Sequence, residues 1–167
     1  MTLEYLLLTF WALMCIVLVV QDLRGRWIHL VPVLGLMAAG LAWAGLQGWD
    51  VLRLHVTVNL VFLVLVVGLT WGVLKLRHPG QPLLNRKIGL GDLLFFVAVI
   101  GWLGPVGYAV FFVSSLVLVL LFVGLLILLQ RWRMDNQIPL AGLQAGYLLL
   151  YFPLYWHWQQ QMEQLVL

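Results

Sequence analysis

Charged residues along this chain fall in clusters, and the apolar intervals between them have the length of membrane-crossing helices. A helix rising about 1.5 Å per residue needs roughly 20 residues to cross about 30 Å of hydrocarbon. The first interval runs from Leu6 to Val20, between Glu4 and the cluster Asp22-Leu23-Arg24-Gly25-Arg26. It lacks the basic start and small-residue cleavage site of a secretory signal, so it reads as a retained span. The second covers Trp27 to Leu46 and ends in Gln47-Gly48-Trp49-Asp50; the third covers Leu54 to Leu74 and ends in Lys75-Leu76-Arg77-His78-Pro79-Gly80. A polar loop, the longest in the chain, continues to Arg86-Lys87. From Leu93 to Leu129 there is no charge. One helix of that length would reach about 55 Å, so Gly101, Gly104, Pro105 and Gly107 predict a break into a short fourth span and a full fifth. Arg131-Trp132-Arg133-Met134-Asp135 closes the fifth. The sixth covers Ile138 to Trp156, with Pro139 suited to a first helical turn, and a short polar tail runs from Gln159 to Gln164. The pattern predicts an all-α polytopic membrane protein, a single domain over residues 1–167 with six transmembrane helices.

Composition agrees with a lipid solvent. The chain is 64% apolar and 9% charged, against about 45–50% and about 25% in soluble domains. Too few polar groups exist to cover a water-facing surface, and apolar burial is too plentiful for disorder. Cys15 is the one cysteine, which excludes an internal disulfide and a CxxC-type zinc site. The basic residues flank apolar runs and form no continuous stripe, so no nucleic-acid partner is expected. His29, His55, His78 and His157 show no ligand spacing, and no metal is expected. Ser114-Ser115, inside the fifth span, is expected to bond to its own helix backbone. Gly35, Gly40, Gly45, Gly68 and Gly72 are expected at close helix contacts.

Charge placement sets the orientation. The segments after spans one, three and five carry Arg24, Arg26, Lys75, Arg77, Arg86, Lys87, Arg131 and Arg133, and the opposite side carries only Arg53. The positive-inside rule makes the basic side cytoplasmic and puts both termini outside. Trp43, Trp49, Trp102, Trp156 and Trp158 then fall near the outer boundary, where interfacial anchors are expected.

Glu4, Asp50, Asp135 and Glu163 lie in loops or tails; Asp22 and Asp92 do not. Asp22 closes the first span, where a carboxylate meets the negative end of a helix dipole. Asp92 opens the fourth span after Gly89-Leu90-Gly91. Twelve residues separate it from Gly104, about 18 Å of helix, which places it within the membrane profile. An ionisable group there is a functional candidate. Parity puts both carboxylates on the cytoplasmic side. Two carboxylates sharing a site hold one proton between them. The ionised one can act as general base on water while the protonated one polarises a peptide carbonyl, which is aspartic proteolysis. Each residue alone has an ordinary reading: Asp92 as a helix N-cap, Asp22 as a juxtamembrane ion pair with Arg24 and Arg26.

The segment from Asp22 to Ile28 resembles the D-x-R-x-R-x-I motif of type IV prepilin and preflagellin peptidases, which are GxGD membrane aspartyl proteases. Gly89-Leu90-Gly91-Asp92 is similar to their G-x-G-D motif, and Ile100-Gly101-Trp102-Leu103-Gly104 to the stretch usually found after that motif. Ile138-Pro139 is similar to the pair opening their last span. The resemblance implies a six-span endopeptidase needing no cofactor, in the cytoplasmic membrane of a bacterium or archaeon. Its partners would be pilin-like or flagellin-like precursors, whose leader peptides it removes. It also implies Asp22 and Asp92 as the catalytic pair, with Arg24, Arg26, Gly89, Gly91, Ile138 and Pro139 in supporting positions. Three features depart from the family: His29-Leu30 replaces its Pro-Asn, Leu94 replaces its Lys, and the cysteine-bearing segment linked to N-methylation is missing. Two alternatives stay open: a catalytically weakened relative that binds pilin-like substrates, and a small proton- or cation-coupled transporter.

Overall fold

The computed structural model of the chain describes residues 2–25, 29–77, 89–129 and 140–166. Six helices account for nearly all of them: α1 (Thr2–Gly25), α2 (Leu30–Gln47), α3 (Trp49–Arg77), α4 (Leu90–Val99), α5 (Pro105–Leu128) and α6 (Leu140–Val166). Four of these, α1, α2, α3 and α5, are long and apolar enough to cross a membrane. Helix α4 is the short one, 10 residues or about 15 Å. Helix α6 has the length, 27 residues, but Gln144, Pro153, its tyrosines and its polar tail dilute its apolar character. Leucines and valines on the outer faces of α1, α3 and α5 stay exposed, as a lipid-facing surface requires. This is an all-α membrane fold.

Helix α1 packs most extensively on α6 and then on α2, while α2 also meets α3 and α4. The α2–α3 link is the single residue Gly48, whose φ of 127° lies where side-chain-bearing residues are strained. The α4–α5 break falls where the glycines predict it, with Pro105 opening α5. Non-helical backbone inside a membrane bundle must find hydrogen bonds within the protein. Asn59 of α3 supplies them: its Nδ2 donates to Ile100 O at 2.9 Å and to Leu103 O at 2.8 Å. The same corner presses against α2, since a Cβ on Gly101 would overlap the Gly40 backbone. A hydroxyl ladder joins α5 and α6: Tyr147 Oη donates to Ser114 Oγ and Tyr151 Oη to Gly107 O, both at 3.0 Å.

Several expectations need correction. Trp43 and Trp102 are not boundary anchors but members of a buried aromatic cluster with Trp11 and Phe152. Trp102 Nε1 donates to Leu36 O at 2.9 Å, which satisfies the indole without water. Trp156 is half-buried and meets Trp43 edge-on, while Trp49 and Trp158 are exposed. Of the glycines, Gly35 and Gly40 do sit in close contacts, against Met14 and Trp102. Gly45, Gly68 and Gly72 do not: an added Cβ would meet nothing within 4 Å. The C-terminal tail is not a loop but a continuation of α6, because Gln, Glu and Met favour helix once the apolar stretch has ended. Ser114 and Ser115 bond to backbone of their own helix, as expected.

Candidate active site

Asp22 sits in the last turn of α1 and is 6% exposed. Its Oδ2 accepts a hydrogen bond of 2.6 Å from the backbone N–H of Gly142, 120 residues away in α6. Asp92 sits in the first turn of α4, half-buried, with its carboxylate beside the backbone N–H of Ala141. Two successive residues of one helix therefore meet two carboxylates from two others, Gly142 bonded to Asp22 and Ala141 beside Asp92. The carboxylates lie close enough for their charges to act on each other.

The first turn of α6 has free N–H groups and the positive end of the helix dipole. Both favour negative charge, which offsets the cost of placing Asp22 at the negative end of α1. Close approach is possible because residue 142 is glycine. A Cβ there would stand 2.8 Å from Asp22 Cβ and 2.9 Å from its Oδ2. Gly89, the N-cap of α4, has the same role at the other carboxylate, since a Cβ on it would collide with Asp92. The carboxyl of Asp92 thus folds back over the start of its own helix and forms one wall of a cavity of about 320 Å³. Apart from Thr70 of α3, the rest of that wall is apolar, with Leu63, Val66 and Val67 of α3, Phe96 of α4, Phe112 and Leu116 of α5, and Leu140 at the start of α6. An acid pair beside an apolar cavity of this volume, bounded by helices with lipid-facing surfaces, is a chemically asymmetric site of the kind ligand pockets present.

The remaining residues singled out in the sequence divide. Gly91 is half-buried in the first turn of α4 beside Asp92. Arg24 is exposed and lines a separate surface hollow with Val20, Gln21, Gly25 and His29, so the structure does not bring it to the carboxylates. Arg26, Ile138 and Pro139 lie outside the described residues. His55 is buried with Nδ1 3.5 Å from Gly101 O, at the α4–α5 corner. Among the described residues no three potential ligands cluster around a metal position.

Sequence reasoning misses Ala141 and Gly142, although a signal for them exists. Pro139 marks a helix start, so the N–H groups just after it have no partner within the helix. Span parity puts that start on the same side as both aspartates. Small residues there let carboxylates reach the amides.

No family model, curated protein or solved structure matches this chain. Its chemistry has to be read from the site itself.

Proposed function

We propose that the chain is a membrane aspartyl endopeptidase of the prepilin-peptidase type, removing leader peptides from pilin-like precursors at the cytoplasmic face of the cytoplasmic membrane. The observation that carries this reading is the convergence of two carboxylates on the start of α6, Asp22 bonded to the Gly142 amide and Asp92 beside the adjacent Ala141 amide. Seventy residues of chain separate the aspartates, and ordinary N-capping of α4 would not recruit a second carboxylate from α1.

The chemistry follows from one shared proton. The ionised carboxylate takes a proton from water as its oxygen bonds to the scissile carbonyl carbon. The protonated carboxyl gives its proton to the carbonyl oxygen, leaving a neutral tetrahedral diol. Collapse of the diol returns a proton to one carboxylate while the other donates to the departing amine nitrogen, and the C–N bond breaks. Water is consumed, an acid and an amine are produced, and the pair again holds one proton. The backbone amides of α6 stabilise the charge that remains on the pair at each stage.

The test is cleavage of a pilin-like precursor by the protein in membranes. Asp22→Asn and Asp92→Asn each remove most of the activity, and the double variant costs little more, because members of one catalytic unit are grossly non-additive. Asp50→Asn and Asp135→Asn keep near-normal rates. An Asp92→Asn protein cutting at the normal rate ends the reading. The alternative of a binding-only relative has one observation in its favour: Leu94 is packed against the apolar core instead of presenting a lysine. Wild-type protein that binds the precursor without cutting it would decide for that alternative.

A further inference from the structure

Gln144 lies one helical turn beyond Ala141 on α6 and is fully buried. Neither its amide oxygen nor its amide nitrogen has a hydrogen-bond partner among the described residues. A side-chain amide carries two donor protons and an acceptor oxygen, and burying it dry surrenders its bonds to water with no return. A glutamine serving as glue between membrane helices would bond across to a neighbouring helix. Among the described residues this one does not.

Helix geometry fixes where the amide lies. Cα–Cβ bonds tilt toward the helix N-terminus, so a long side chain covers the turn preceding its own Cα. For Gln144 that turn begins at Leu140 and Ala141, and the Ala141 N–H lies beside Asp92. Ala141, Ala145 and Leu148, around it on α6, are fully buried, so the amide faces the bundle interior and not lipid. It is a buried polar group one turn from the amide beside Asp92, and it is the kind of group that interior water satisfies.

We infer that Gln144 holds the hydrolytic water against the Asp22–Asp92 pair, acting as a positioning residue; the catalytic part of this inference rests on the peptidase reading. The amide N–H donates to one lone pair of the water oxygen. One water O–H is then given to the ionised carboxylate, and the second lone pair stays free to attack the carbonyl carbon. Gln144 exchanges no proton and forms no bond to substrate.

Two measurements test it. Gln144→Met keeps length and bulk and removes hydrogen bonding. The expected result is a fall in kcat by about tenfold or more with KM unchanged. Thermal stability should stay close to wild type, because the amide bonds to no other helix among the described residues. Gln144→Glu adds a third acid beside the pair and should move the pH–rate profile, which a packing role would leave in place. Independently of substrate, water-to-protein magnetisation transfer in solid-state NMR on bilayer samples should reach the Gln144 side-chain amide, assigned by its loss in Gln144→Met. A Gln144→Met protein with wild-type kcat overturns the inference. So does one that no longer folds, since the amide would then be a structural contact, and so does an amide that receives no water signal. A water signal in a protein that cuts no pilin-like precursor would leave the water site standing and end the peptidase reading instead.

Discussion

Two glycines one turn apart on α6 face the same neighbour, α1, yet should respond oppositely to the same substitution. A Cβ on Gly142 would lie 2.8 Å from Asp22 Cβ, whereas one on Gly146 would lie 3.8 Å from Val19 Cγ2, an ordinary contact. Carbon atoms rest at about 3.5–4.0 Å, so Gly142→Ala must push α1 and α6 apart by about 1 Å at the site. Overpacking of this kind costs about 1–3 kcal/mol, partly offset by about 1 kcal/mol from the better helix propensity of alanine. The net loss of stability is then about 0–2 kcal/mol, small enough for the protein to fold. Activity should suffer more, because the displaced atom pair includes the 2.6 Å bond from the Gly142 N–H to Asp22. A misplacement of about 1 Å can cost about 100-fold in rate. Gly146→Ala carries the propensity gain without the clash and should melt slightly higher at the wild-type rate. The assay is precursor cleavage in proteoliposomes alongside thermal unfolding in detergent. Wild-type cleavage by Gly142→Ala, or equal rate losses in both variants, would refute the idea that this amide positions the acid.

Replacing Asn59 by Leu leaves the carbonyls of Ile100 and Leu103 unpaired inside the bundle and should cost about 2–4 kcal/mol, read as a lowered melting temperature. Single cysteines near Pro79 and near Gln137, in a background lacking Cys15, should resist a membrane-impermeant thiol reagent applied from outside, while one at Gln161 should react. Labelling at position 79 from outside would reverse the orientation. Under the peptidase reading, the product made with this protein alone should have an unmethylated N-terminus by mass spectrometry, because Cys15 is its one cysteine and prepilin peptidases that methylate carry a cysteine-bearing segment.

The charge pattern made the helices legible, since a membrane penalises charge wherever it falls within a span and so writes the spans into the sequence. The break at Gly101–Pro105 was legible for a related reason: an uncharged run nearly twice the bilayer thickness has to turn, and the cluster of glycines with Pro105 is where it turns most easily. Helix ends were less visible. Charge marks where lipid stops and not where the backbone stops being helical, so α3 already begins at Trp49 and α6 runs on through the polar tail. Facing was not visible at all. In a uniformly apolar helix no periodicity distinguishes lipid from core, which is why Trp43 and Trp102 read as anchors and Gly45, Gly68 and Gly72 read as contacts. Of the site, the aspartates stood out because they are expensive where they lie. The amides they meet did not, because every residue but proline has one.

Several exceptions to local rules gather around the two aspartates. Asp22 sits at the wrong end of a helix dipole, and α4 is too short to cross the membrane. Gly142 lowers the propensity of the first turn of α6, and Gln144 is buried without a partner among the described residues. Elsewhere most local rules hold: serines bond to their own backbone, the corner carbonyls are paired, and apolar side chains face lipid or core. Trp11 Nε1 and Asn59 Oδ1 are also buried without a partner among the described residues, and Pro153 lies inside α6. Such departures cost stability individually, and a fold keeps them where an activity depends on them. Those around the aspartates are explained by the same requirement. A short α4 brings Asp92 to the level of the end of α1, glycine at 142 lets Asp22 reach the amides of α6, and the dipole of α6 compensates for that of α1. Gln144 then needs a hydrogen-bonding partner that the described residues do not offer. Under the peptidase reading, the hydrolytic water would be that partner.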